Sequence, residues 1–271
     1  MVSRGPAERA FERVFDLLPY PPKPRTTGVT EIRDRGMGMH AIEDLVSLMG
    51  EYIDVVKAAN GSQRLFPREL VLKKNRYLRA HQISVSTGGL LERVVLEGTD
   101  AVFRFLEEAK ALEYDIVEIS AGLAVLSLAD IQRLIRAVAA AGLKPKPEIG
   151  LAYGIQHGDP VEVSVDRLLS ACDACLEAGA WKLMIEEEGI FENVETWRTD
   201  VVHKLVSRFP LEKLMFEASD VHVFNWLIRQ YGPEVNVFID ASQVSQLACA
   251  RTGVWGKKEI WGRVAVFRPS E

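Results

Sequence analysis

The chain predicts an α/β fold closed into a (β/α)8 barrel, and three observations carry that expectation. Strand-like runs alternate with helical runs eight times along 271 residues, roughly thirty residues per unit, as in a barrel of about 250 residues. Glycines (Gly142, Gly179, Gly232) close several helical runs, as C-terminal caps do. Five strand-like runs end in an acid: Asp115-Ile-Val-Glu118, Lys146-Pro-Glu148, Leu183-Met-Ile-Glu186, Leu214-Met-Phe-Glu217 and Val237-Phe-Ile-Asp240, with Val29-Thr-Glu31 opening the series. Carboxylates placed where parallel strands run out converge on one end of a barrel, the end where barrel enzymes keep their active sites. A doubly wound open sheet is the alternative if a weaker strand fails.

The arm comes first. Pro6 to Leu18 has the spacing of an amphipathic helix and leads into the stiff Pro19-Tyr-Pro-Pro-Lys-Pro24, a segment suited to covering the barrel bottom or clasping another subunit. Residues 1–25 are therefore read as an arm, 26–254 as the barrel and 255–271 as a tail. The expected strands are Val29–Arg33, Tyr52–Ala58, Gln82–Ser86, Ile116–Ser120, Lys144–Ile149, Lys182–Glu187, Leu214–Ala218 and Asn236–Asp240. The fifth is the weakest, because Pro145 and Pro147 each remove a ladder donor. Between strands, Ala101–Leu112, Leu128–Ala141, Val165–Ala178 and Val221–Tyr231 carry apolar residues at three- and four-residue spacing. The tail Trp255-Gly-Lys-Lys-Glu-Ile-Trp-Gly-Arg263 mixes aromatics with bases and reads as a docked terminal segment.

Composition narrows the class. A net charge of −5 argues against a nucleic-acid surface. Charged residues interrupt every apolar run of membrane-spanning length, and residues 1–16 lack a signal-peptide core, so a cytoplasmic location is expected. Cys172 and Cys175 form a C-x-x-C inside a helical run rather than at a helix start, so both read as reduced structural thiols.

Period-two alternation puts Glu118 with Ser120, Glu148 with Lys146 and Lys144, Glu186 with Met184 and Lys182, and Asp240 with Phe238, on the face opposite the Val and Ile residues and hence inside the barrel. A ring of acids with no matching ring of bases attracts a divalent cation. The metal candidates are Glu118, Glu148 and Glu186, with Glu217 and Asp240 as substrate-binding candidates; any single acid here has the plainer alternative of capping a helix or pairing with a lysine. Lys57, placed inward with Ile53 and Val55, is suited to holding an anion or donating a proton, or else to a plain salt bridge. Lys146 has the same two readings, and Lys57 and Glu148 are the catalytic candidates. The turns Ala59-Asn-Gly-Ser62 and Ser86-Thr-Gly-Gly89 offer donors for a phosphate or carboxylate, through Ser62, Ser86, Gly88 and Gly89. His157 falls on the catalytic face, whereas His40, His81, His203 and His222 read as helix or boundary residues.

From Lys23 to about Gly253 the chain resembles the phosphosulfolactate synthase family. The resemblance rests on Tyr52-Ile-Asp-Val-Val-Lys57, Ser86-Thr-Gly-Gly-Leu-Leu-Glu92, Val117-Glu-Ile-Ser120, Glu148-Ile-Gly150, Glu177-Ala-Gly-Ala180, Met184-Ile-Glu186, Phe216-Glu-Ala218 and Gly232-Pro-Glu-Val-Asn236. The opening Lys23-Pro-Arg-Thr-Thr-Gly-Val-Thr-Glu31, with Met215-Phe-Glu-Ala-Ser-Asp220 and Asp240-Ala-Ser-Gln243, is more similar to its plant heat-stress-associated branch. The resemblance implies a (β/α)8 barrel, Mg²⁺, and a lyase that adds sulfite to phosphoenolpyruvate for coenzyme M synthesis. It also implies small anionic partners, with Lys57 as the proton donor. Neither nucleic acid nor membrane is an expected partner, and a homo-oligomer is allowed. Departures follow several motifs: Ala121-Gly122 replaces an acid and glycine, Leu151-Ala-Tyr-Gly154 replaces lysines, Glu187-Glu188 replaces an arginine-containing stretch, and Asn236-Val-Phe-Ile-Asp240 replaces an Asn-Leu-Ala-Asn strand. Lost cations weaken anion binding, which opens two alternatives: another enolate or lyase reaction, or a non-catalytic stress-related protein.

Overall fold

The computed structural model describes residues 9–122, 124, 126–151 and 164–266. Eight parallel strands close in sequence order, β1 pairing with both β2 and β8, which excludes the open sheet. The strands are β1 Thr30–Asp34, β2 Val55–Ala58, β3 Ser84–Ser86, β4 Ile116–Ile119, β5 Lys144–Ile149, β6 Leu183–Ile185, β7 Leu214–Glu217 and β8 Val237–Asp240. Around them run α1 Met39–Met49, α2 Arg68–Ala80, α3 Leu90–Val95, α4 Thr99–Ala111, α5 Leu128–Ala140, α6 Val165–Glu177, α7 Thr199–Arg208, α8 Val221–Tyr231 and α9 Val244–Thr252. No helix among the described residues is long and apolar enough to cross a membrane.

Alternation along each strand divides the apolar residues into two bodies. Outward residues such as Ile32, Val56, Val117, Ile185 and Ile239 pack beneath the helices in one continuous core. Inward, Val29, Val55, Ile116, Met184, Met215 and Phe238 fill the lower interior. Above that plug the inward positions turn charged, so the barrel changes from apolar to ionic along its own axis. Cys172 and Cys175 are buried and unbonded in α6, and burial raises both thiols, Cys175 to about 12, which keeps them inert.

Several boundaries differ from the expectation. Residues 10–14 form turns rather than part of a helix over 6–18. Phe11 there is left-handed (φ 61°); Arg9 pairs with Glu51, and the Leu18 N–H donates to the Thr252 carbonyl. Anchors at both ends outweigh the marginal propensity of so short a helix. Strand β2 starts at Val55 because Gly50–Tyr52 is a 3₁₀ turn, and Ile53 consequently joins the outer core. Strand β3 starts at Ser84 because Gln82 is left-handed (φ 58°).

The fifth strand keeps all six residues despite its prolines. Lys144 donates to Asp115 on the β4 side, whereas the Pro145 carbonyl accepts from Trp181 on the β6 side. Both proline nitrogens therefore face β6, a three-residue strand that pairs with β5 only from Glu148 onward. The missing donors fall where little ladder exists to lose them.

Candidate active site

Five ionic side chains form a chain rising from the apolar plug. Lys146, fully buried on β5, holds Glu31 of β1 through both carboxylate oxygens, 2.6 Å to Oε2. Its Nζ also stands 3.2 Å from Glu118 Oε2, an ion pair not aligned as a hydrogen bond, since that oxygen is buried without a partner. Glu118 Oε1 takes Lys57 Nζ at 2.7 Å, and Lys57 reaches Glu148 Oε1 at 3.5 Å. Lys57 and Arg33 both lie over the Phe238 ring, 4.3 Å and 4.7 Å from its centroid, and Arg33 pairs with Glu217.

Burial alone would lower the Lys57 ammonium, but the Glu118, Glu148 and Glu31 carboxylates overcome it and hold the lysine protonated. Burial would likewise raise Glu118, and here Lys57 and Lys146 win, keeping it ionised. Glu148 goes the other way: burial and the neighbouring Glu118 charge push it to about 8, against the pull of Lys57. Glu186 rises to about 7 through burial and the charges of Glu217 and Glu188, and burial also raises Glu217. Five carboxylates (Glu31, Glu118, Glu148, Glu186, Glu217) thus crowd three cations (Lys146, Lys57, Arg33) in a desolvated space, and the surplus is met by protons held on the raised Glu148 and Glu186.

A cavity of about 900 Å³ opens above these groups. Of the residues singled out from sequence, Lys57, Ser62, Gly89, Glu118, Glu148, Glu186 and Glu217 line it. Lys146 lies beneath as a support for Glu31 and Glu118. Ser86 is fully buried, with its Oγ accepting from the Gly88 N–H at 3.4 Å. Gly88 shapes the turn: its φ is +57°, and a Cβ there would sit 2.0 Å from the Ala58 carbonyl oxygen. Asp240 caps the turn after β8: its carboxylate accepts from the Ser242 N–H at 3.1 Å, its own N–H donates to Gln243 Oε1 at 3.1 Å, and it pairs with Arg35 at 3.1 Å. His157 lies outside the described residues. The other four histidines sit in helices or at the α2 cap, as expected.

The expectation of acids without matching bases is corrected here. Arg33, Arg35, Arg64 and Arg93 line the same cavity. Arg33 was legible as an inward residue of β1, two positions after Glu31. Arg35 and Arg64 lie on loops, and Arg93 on α3, where no strand periodicity points to the barrel axis. Glu92 was also missed: it accepts from Ser120 Oγ at 2.8 Å and the Ala124 N–H at 2.7 Å, tying the segment after β4 to α3.

No three acidic, His or Cys side chains among the described residues gather tightly enough to enclose an ion alone, and Glu118 is engaged by two lysines. The raised Glu148 and Glu186 carboxylates remain, with all-oxygen donors of the kind Mg²⁺ takes from one or two protein groups, leaving its other positions to water and substrate. Gly150 preserves room for one of them, since a Cβ there would meet Glu186 Oε2 at 2.2 Å. The residues present fit such an ion through two carboxylates rather than three.

Comparison with known proteins gives a consistent picture. A family model described as (2R)-phospho-3-sulfolactate synthase (ComA) matches residues 19–257. Protein HEAT-STRESS-ASSOCIATED 32 of Arabidopsis thaliana is 31% identical, over 92% of this chain and 93% of its own. A phosphosulfolactate synthase of Methanothermobacter thermautotrophicus is 29% identical, over 89% of this chain and 96% of its own. Among solved structures, 3-hexulose-6-phosphate synthase from Salmonella typhimurium superposes with a TM-score of 0.52 at 11% identity, covering 81% of this chain and 96% of that one, a likeness of fold alone.

Proposed function

Because the chain belongs to the (2R)-phospho-3-sulfolactate synthase family, we propose that the barrel mouth is the active site of a lyase-type enzyme that joins sulfite to phosphoenolpyruvate with Mg²⁺ bound. The observation that carries this reading is the floor of five carboxylates and three cations, in which the raised Glu148 and Glu186 are the two acids from which a divalent ion would displace protons. Glu148 and Glu186 would hold it, and when bound it would act as a Lewis acid on the substrate carboxylate. The sulfite sulfur lone pair forms the new bond to the methylene carbon, and the double-bond electrons move to the neighbouring carbon, which then takes a proton.

Lys57 supplies that proton. Glu118, 2.7 Å away, fixes its ammonium, and Glu148 holds it from the cavity side at 3.5 Å. Two partners on one lysine leave it a single orientation, which is what a positioned general acid needs. After transfer, the neutral amine is reprotonated from solvent through the open mouth. Glu217 keeps Arg33 at the cavity wall, where the guanidinium faces incoming anions.

The test is ³¹P NMR of phosphoenolpyruvate with sulfite, with and without Mg²⁺. A Mg²⁺-dependent phosphosulfolactate signal, lost in Lys57→Ala and Glu148→Gln, is the expected result. No product from folded protein in either condition would remove this reaction. A second reading, a different reaction of a small anionic acid at the same groups, is favoured by Glu187 and Glu188 following the sixth strand, where Glu188 adds negative charge beside Glu186.

A further inference from the structure

The cavity is polarised. Acids make its floor, while Arg64 and Arg93 stand on the side formed by the loop after β2 and by α3. Arg64 follows two left-handed residues, Asn60 (φ 55°) and Gly61 (φ 64°), on a 3₁₀ turn Ser62–Leu65, and it makes no ion pair with the described residues. Among the described residues Arg93 pairs with Glu97, just beyond the end of α3; both side chains are largely exposed (64% and 59%), so the pair is weakly held and easily exchanged. Ser62, on the same 3₁₀ turn as Arg64 and lining the same cavity, has its Oγ buried without any hydrogen-bond partner among the described residues. A desolvated hydroxyl left unpaired is unfavourable unless a ligand completes it.

A phosphoryl group is repelled by the acid floor and drawn to guanidinium groups that are unpaired or held in an exchangeable pair, whose planar forks match tetrahedral oxyanions. We infer that Ser62, Arg64 and Arg93 form a phosphoryl subsite, separate from the acid floor, that seats the phosphate end of the substrate on the β2–β3 side of the mouth. This rests on reading the mouth as the active site. Arg64 and Arg93, as specificity-determining residues, thereby replace cations absent after β5 and β6. The acid floor is left to the carboxylate end, so the substrate lies across the cavity with its reacting carbons over Lys57.

Inorganic phosphate, sulfite and phosphoenolpyruvate, titrated separately into the full chain by calorimetry, test the assignment. Arg64→Ala and Arg93→Ala should each weaken phosphate and phosphoenolpyruvate binding about tenfold or more, with Arg64→Lys partly restoring it. Ser62→Ala should weaken it a few-fold, and sulfite should be little affected. Arg133→Ala, which changes an exposed arginine of α5 that lies outside this cavity and pairs with Asp130, is the control and should bind as the wild type. Wild-type phosphate affinity in folded Arg64→Ala and Arg93→Ala, or a loss confined to sulfite, would overturn the subsite. Arginine-dependent phosphate binding without any sulfite adduct would keep the subsite and remove only the proposed reaction.

Discussion

Glu186 shows how one side chain ties stability to pH. Its folded value of about 7 lies above the ordinary carboxylate value of 4.5, so the folded state binds its proton more tightly than the unfolded chain. The resulting stability is fully present below pH 4.5 and is lost as pH rises through about 7. Without divalent ions, Glu186→Gln should therefore melt higher than wild type at pH 8, by on the order of 2 kcal/mol, and the difference should shrink toward pH 5. Differential scanning calorimetry at the two pH values checks this; equal melting at pH 8 would mean that Glu186 carries no repulsion. Lys57 is the opposite case. Its raised value stabilises the fold at neutral pH, and Lys57→Met removes the cation that Glu118 and Glu148 share, leaving Glu118 with Lys146 alone, a loss of about 3 kcal/mol measurable by urea unfolding.

Loops rather than strands set the site's finer geometry. Gly88→Ala forces a Cβ into the Ala58 carbonyl at a left-handed position, so it should cost about 2 kcal/mol or more and disturb the turn before α3. Gly150→Ala displaces the Glu186 carboxylate instead. Its expected effect is divalent-ion affinity reduced about tenfold or more with an unchanged circular dichroism spectrum; retained affinity would separate Glu186 from the ion. What was legible in the sequence follows the same division. The acids at strand ends could be placed because period two is enforced wherever one face meets the helices and the other the barrel axis. Arg64, Arg93 and Glu92 lie outside strands and reach the cavity only through the path of the loop after β2 and the start of α3, which no periodicity encodes. The arm at residues 9–18 misled because helical spacing of apolar residues was decided by its anchors at Glu51 and Thr252 instead.

At the scale of the whole molecule, the barrel separates stability from chemistry along its axis. The plug of Val29, Val55, Ile116, Met184, Met215 and Phe238 closes the lower interior, and the ionic chain from Glu31 to Glu148 is raised on it toward the mouth. Burying that many charges is unfavourable unless they are matched, and on the proposed metal reading the surplus acids Glu148 and Glu186 would link the folded state to a cation. Binding one ion should stabilise the chain by mass action, about 2.7 kcal/mol at a hundredfold excess over the dissociation constant. The most direct measurement is calorimetric titration of Mg²⁺, with Mn²⁺ as a second probe, into metal-free wild type, Glu148→Gln and Glu186→Gln at pH 8. One ion per wild-type chain, a raised melting temperature and loss of both in the two variants are expected. Absence of binding, or binding that neither substitution weakens, would contradict the reading of the acid floor as a metal site.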